Sequence, residues 1–162
     1  MKKFLSITLC ALTGLLLTGC KKEMIVGKDI RLEDITEFYY TYENINYNAR
    51  YLRYRFHVEE GRYMFFHETR ERKDDYGPAS EEDITAIGDF ELTDEEWKMF
   101  FNLLKDGKVK NREESLEDGD CGPWLYLYWK NDRSRYQEYS FVSWEAKKAF
   151  EDFCASLAAQ DR

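Results

Sequence analysis

Histidine, proline and cysteine are scarce in this chain: of 162 residues, two are histidine, two are proline and four are cysteine. His57 and His67 are therefore the only imidazoles available as metal ligands or as acid–base catalysts. The sequence also lacks a Gly-x-Ser-x-Gly elbow, a glycine-rich phosphate loop and a His-Glu-x-x-His helix. We accordingly predict no catalytic residue, no metal site and no cofactor.

The first nineteen residues have the parts of an export signal. Lys2 and Lys3 form a basic start, and residues 4–17 form an uncharged, mostly apolar stretch of about 21 Å as a helix, too short for the roughly 30 Å core of a bilayer. Leu17, the last residue of this stretch, is followed by Thr18, Gly19 and Cys20. That order resembles the lipobox of bacterial lipoproteins, which implies cleavage of residues 1–19 and acylation of Cys20. An ordinary secretory signal with a chance cysteine is the alternative.

The lipobox predicts the location of the protein in the cell. Acyl chains on Cys20 would anchor it in a membrane without a second membrane element. Lys21 follows, where an aspartate would resemble the inner-membrane retention signal. We therefore expect the outer membrane in a cell with two membranes, and otherwise the outer face of the cell membrane.

Positive charge is in deficit. The chain carries 24 lysine and arginine residues against 32 aspartate and glutamate residues, a net charge of −8. Cleavage after residue 19 removes Lys2 and Lys3 and no acid, which leaves −10. Such a surface repels phosphate at long range, which argues against nucleic acid as a partner.

Two cysteines remain once the signal peptide and Cys20 are set aside, namely Cys121 and Cys154. A disulfide between them would close a loop of about 33 residues and contribute roughly 3–4 kcal/mol, and an envelope location permits it. Against the bond, Cys154 lies on the apolar stripe of a predicted helix, where free cysteine packs as a small hydrophobe. The sequence alone does not decide whether this disulfide forms.

The rest of the chain predicts an α+β domain over residues 35–160, preceded by a lipidated tether at residues 20–34. Short alternating runs indicate an antiparallel sheet of about six strands. Two amphipathic helices, beginning near Thr93 and Ser143, should pack on one face of it. Their stripes predict that Trp97, Phe101 and Phe150 are buried.

The clearest hairpin joins residues 50–58 to residues 62–70 through a loop taken as the three residues 59–61. In that register six residues share the face opposite the core: Arg53, Arg55, His57, Tyr63, Phe65 and His67. Such a face would bind an anionic glycan or an acidic partner protein. Alternatively, the arginines only pair with nearby glutamates. A two-residue turn would shift the pairing by one residue and dissolve the patch.

The lipobox, the tyrosine-rich opening strands, the helix beginning Leu-Thr-Asp-Glu-Glu-Trp and the closing aromatic hairpin and helix together resemble small uncharacterised lipoproteins of gut bacteria. The resemblance covers most of residues 30–158 and implies location and compactness only. We expect a membrane-anchored, non-enzymatic binding module. The alternatives are a carboxylate-dependent hydrolase whose site is assembled from distant acids, and a structural subunit of an envelope complex.

Overall fold

The computed structural model describes residues 23–43, 50–72, 78–113 and 123–160. Within them the strands are β1 (Ile35–Glu43), β2 (Arg50–Glu59), β3 (Arg62–Glu71), β4 (Ile84–Glu91), β5 (Val109–Asn111), β6 (Trp124–Trp129) and β7 (Tyr136–Phe141). The α-helices are α1 (Asp94–Asn102) and α2 (Trp144–Ala158), and short 3-10 helices lie at Leu32–Asp34 and Glu81–Asp83. The strands form one antiparallel sheet in the order β4-β3-β2-β1-β6-β7-β5.

The predicted α+β class is confirmed, with seven strands in place of about six. The additional strand is β5. It is three residues long and pairs with the end of β7, so that Val109 lies opposite Phe141. An edge strand of three residues, of which only Val109 is buried, carries little alternation by which a sequence pattern could find it.

Both helices begin with the side-chain caps that the sequence predicts. The Thr93 hydroxyl accepts a hydrogen bond from the Glu96 backbone N–H at 3.2 Å, and the Glu96 carboxylate accepts one from the Thr93 N–H at 2.8 Å. Ser143 caps α2 in the same way through the N–H of Ala146. Trp97 and Phe150 are fully buried, as expected. Phe101 is only partly buried, because it lies at the border of the α1 stripe.

The core between helices and sheet is built mainly from phenylalanine rings. Phe56 of β2 stacks on Phe100 of α1 with ring centroids 4.1 Å apart, and it lies 4.8 Å from Phe65 of β3. Phe150 of α2 packs 5.6 Å from Phe38 of β1. Contacts of this kind, repeated across the strands and both helices, fix the helices to the same face of the sheet.

The first hairpin has a two-residue turn, and the predicted three-residue loop is wrong. Glu59 pairs with Arg62, and the two residues between them, Glu60 and Gly61, have φ angles of 52° and 81°. Two successive residues in the left-handed region are typical of a type I′ turn, whose twist matches that of the flanking strands. Glutamate seldom occupies the first of these positions, so the sequence pattern favoured the longer loop.

The shorter turn inverts β3 relative to the prediction, since the side-chain period of a strand is two residues. Phe65 lies opposite Phe56, and His67 lies opposite Tyr54. Tyr63, which stacks on a tryptophan of α1, is on the same side. Half of the predicted binding face therefore belongs to the helix side of the sheet.

His67 explains a glycine in the neighbouring strand. Gly88 of β4 lies opposite His67, and a Cβ atom at that position would come within 2.5 Å of the imidazole Nε2. The imidazole also lies between Phe65 and Phe90, with centroid distances of 5.9 and 6.4 Å. The histidine thus fills the volume that a side chain at residue 88 would need.

Residues 24–34, predicted as part of a tether, pack against the domain. Val26 and Ile30 are buried in the core, and the Met24 carbonyl accepts a hydrogen bond from the Tyr139 hydroxyl. Packed residues therefore precede residue 35, where the prediction placed the start of the domain. The segment has no helical or strand periodicity, which is why the sequence pattern suggested a linker, although its apolar residues find partners in the tertiary structure.

Candidate binding site

One face of the sheet contacts α1 and α2, and the opposite face carries no α-helix in the part of the chain that the structure describes. We call this second face the open face. Strand pairing places side chains across it in rows. One row is Tyr126, Tyr39, Arg55 and Phe66. The next is Trp124, Thr41, Arg53 and Glu68.

A depression of about 470 Å³ lies in the middle of the open face. It is lined by Tyr39, Thr41, Tyr51, Arg53, Tyr126, Tyr128 and Arg133. We call it the groove. Four phenol rings, two guanidinium groups and a hydroxyl surround it, and none of these described lining residues is acidic. The groove is thus lined by cationic and aromatic side chains in a protein that is acidic overall.

The arginines of the open face lie over the rings. The Arg55 guanidinium carbon is 5.6 Å from the centroid of Tyr39, and that of Arg133 is 5.7 Å from the centroid of Tyr128. The two tyrosine rings meet edge to face at 6.1 Å. Each cation–π interaction of this kind contributes about 0.5–1 kcal/mol at an exposed site. The rings therefore hold the guanidinium groups against the open face.

Glu37 orients two of these arginines from beneath. Its carboxylate is buried and accepts a hydrogen bond from Arg55 Nε at 2.6 Å, while Arg133 Nη2 lies 3.1 Å from its other oxygen. The Tyr39 hydroxyl donates to the same carboxylate at 2.5 Å. Burial, followed by this hydrogen bond, raises the pKa of Tyr39, so its hydroxyl remains a donor.

Arg53 is held more loosely than its neighbours. Its only ion pair among the described residues is with Glu68, at 3.9 Å, whereas Glu68 also accepts a close hydrogen bond from Arg70 Nε. The Arg53 side chain remains 43% exposed. A guanidinium in this position retains donors that a ligand can use.

A second depression, of about 410 Å³, continues from the groove towards the hairpin turns. Tyr128 and Arg133 line both depressions. The second is also lined by Arg55 and His57 and by three acids, Glu37, Glu60 and Asp132. His57 is buried, and its Nδ1 has no hydrogen-bond partner in the described part of the chain. Burial, and then the charge of Arg55, lower the pKa of His57, which favours the neutral imidazole.

The predicted binding face is thus split by the structure. Arg53 lines the groove, and Arg55 and His57 line the second depression. Tyr63, Phe65 and His67 lie on the other side of the sheet, so the six residues do not form one surface.

Sequence reasoning missed the tyrosines and the arginine that replace those three: Tyr39, Tyr51, Tyr126, Tyr128 and Arg133. A usable signal exists in β6, where Leu125 and Leu127 are buried and the tyrosines alternate with them.

Cys154 is a fully buried free thiol, and burial raises its pKa. Cys121, its proposed partner, lies outside the described residues, as do Cys20 and the whole signal peptide. Within the described residues, no group of three or more histidine, cysteine, aspartate or glutamate side chains could hold a metal ion. The two buried carboxylates of the open face, Glu37 and Glu68, are both engaged by arginines.

The fold and this face together define a two-layer α+β domain with one closed and one open side. The chain matches no family model, no curated protein and no solved structure. Among the residues that the structure covers, no helix has the length and apolar character to cross a bilayer.

Proposed function

We propose that this chain is a lipid-anchored protein of the bacterial cell envelope, and that it works as a non-enzymatic module whose groove binds an acidic glycan. The anchor is Cys20, on the evidence of the lipobox in the sequence. We place the protein at the outer membrane in a cell with two membranes, and at the outer face of the cell membrane in a cell with one.

The observation that carries the binding proposal is the contrast of charge between the groove and the chain. The net charge is −8, yet the groove is lined by Arg53 and Arg133 without a lining acid among the described residues. Guanidinium groups bind carboxylates and sulfates through paired hydrogen bonds. An anionic ligand is therefore attracted locally by a protein that repels anions elsewhere.

The four tyrosines favour a glycan over an acidic protein. A phenol offers a flat apolar ring and a hydroxyl in one rigid side chain, which suits a sugar that has an apolar face and hydroxyls at its rim. Tyr51 and His57 are six residues apart on β2, so the groove and the second depression together run for about 20 Å. This length suits a polymer better than a single sugar.

Calorimetric titration with polygalacturonate, heparin and neutral dextran tests the proposal. The wild type should bind the two acidic polymers and not dextran, and added salt should weaken binding. Changing both Arg53→Gln and Arg133→Gln should weaken it by about tenfold or more for each charge-assisted hydrogen bond that the substitutions remove.

The matched control is Arg31→Gln with Arg62→Gln. These side chains are 73% and 48% exposed, against 75% for Arg133 and 43% for Arg53, and they lie outside the groove. Equal weakening by both pairs would show that overall charge and not the groove binds the polymer. Capture of an envelope protein that depends on Arg53, with no polymer bound, would show that the ligand is a protein.

The anchor has its own test. Labelled fatty acid should enter the wild type and not Cys20→Ser. Equal labelling of both would refute lipidation at that residue.

A further inference from the structure

Very little chain separates the proposed anchor from the packed domain. The carboxylate of Glu23 accepts a hydrogen bond from the Asn111 backbone N–H at 2.9 Å, and the Met24 N–H donates to Gln137 Oε1 at 2.8 Å. The three steps from Cys20 to Glu23 span at most about 10–11 Å. The side of the sheet formed by β5 and β7, here called the anchor edge, is therefore close to the bilayer if Cys20 is lipidated.

The anchor edge exposes apolar side chains. Trp144, the first residue of α2, is 68% exposed, the most of any large hydrophobic residue in the described ranges. Val142 is also exposed, and its N–H donates to the Lys108 carbonyl at 3.0 Å. Lys108 is three residues, or about 10 Å, along the edge from Asn111. Indole rings favour the boundary between headgroups and acyl chains.

The segment that contains β5 carries more cations than acids, although the chain as a whole is acidic. Residues 105–112 contain one acid, Asp106, and four cations, Lys105, Lys108, Lys110 and Arg112. Two more lysines, Lys21 and Lys22, follow the proposed lipidated cysteine. A cationic patch beside an acyl anchor strengthens attachment to anionic headgroups.

We infer that the domain stands on its anchor edge, with Trp144 and Val142 inserted among the headgroups of the bilayer that holds Cys20. This inference rests on the lipid anchor of the proposed function. An edge-on sheet has both faces perpendicular to the membrane, so the groove opens sideways, along the membrane surface, and remains accessible to ligands.

Tryptophan quenching in vesicles tests this orientation. The lipidated full chain is reconstituted in phosphatidylethanolamine and phosphatidylglycerol, with and without brominated acyl chains. The difference in emission between the wild type and Trp144→Phe isolates Trp144 from the other three tryptophans. Its emission should shift to the blue in vesicles and be quenched when the lipids are brominated.

The matched control moves the tryptophan to the opposite edge of the sheet. Ile87 of β4 is 58% exposed, so Ile87→Trp in the Trp144→Phe background gives an exposed indole far from the anchor edge, which should not be quenched. Equal quenching at both positions, or none at either in protein that floats with the vesicles, would overturn the orientation and leave the anchor intact. Protein that neither floats nor takes up labelled fatty acid would overturn the anchor and the orientation together.

Discussion

The two faces of the sheet are both rich in aromatic rings, yet they differ in what covers the rings. On the helix side, Phe38, Phe56 and Phe150 touch other rings and are buried. On the open face, Tyr39 and Tyr128 are covered by the guanidinium groups of arginines. Aromatic content alone therefore does not identify a core. What identifies it is whether the partners of the rings are apolar.

The rings on the two faces also differ in how much they contribute to the stability of the fold. Burial of a large apolar side chain contributes about 1.5–3 kcal/mol, and removal of the side chain adds the cost of a cavity. A guanidinium lying over an exposed ring contributes about 0.5–1 kcal/mol and can exchange the ring for a ligand. The helix side should therefore dominate stability, and the open face should remain adaptable.

The largest expected effect follows from truncating one ring on each face. Phe150→Ala should lower the free energy of unfolding by about 3–5 kcal/mol, because the ring is fully buried among Phe38, Tyr40 and Phe141. Tyr128→Ala should lower it by about 1 kcal/mol. Urea denaturation measures both. Similar decreases for the two variants would mean that the open face is part of the core.

A smaller decrease in the free energy of unfolding is expected when the charge of Glu37, beneath the groove, is removed. Glu37→Gln should destabilise the protein by about 1–2 kcal/mol, because Arg55 and Arg133 are deprived of their shared carboxylate and both are partly solvated. Glu60→Gln is the control, since that exposed glutamate only approaches Arg62 at 3.7 Å and should change stability by less than about 0.5 kcal/mol. Urea denaturation of both variants measures the two changes in stability. Equal effects would show that Glu37 has no special positioning role.

The smallest effect concerns pH. Burial lowers the pKa of His67 below its ordinary value of 6.5, so the unfolded chain binds more protons than the folded one as the pH falls through 6.5. This contribution to stability is complete above pH 6.5 and declines progressively at lower pH. His67→Gln should therefore reduce the drop in urea midpoint between pH 7 and pH 5. An unchanged drop would show that His67 does not contribute to it.

The fold was predictable because its signals are local. Alternation in β2 and the stripes that bury Trp97 and Phe150 are visible within single segments, and so is the Thr93 cap. The register of the first hairpin was predicted wrongly because it depends on a single residue, Glu60. The backbone of Glu60 is left-handed, which is not expected of glutamate.

The groove was harder to predict, since it joins residues that are far apart in the chain. Tyr39 and Tyr126 become neighbours only because β1 lies between β2 and β6. Arg133 comes from the turn between β6 and β7, and its position depends on Glu37. None of these adjacencies can be derived from spacing within one segment. The packing of residues 24–34 against the domain was not predicted for the same reason, because Val26 and Ile30 contact their apolar partners only in the folded chain.

The two-residue turn at Glu60 and Gly61 also limits how this hairpin can change in evolution. With β2 fixed, one inserted residue would exchange the two sides of β3, so that Glu68 and Arg70 would enter the core and Phe65 would face water. Two inserted residues would restore the sides. Relatives of this chain should therefore differ in the length of this turn by even numbers, or carry a bulge that absorbs the odd residue.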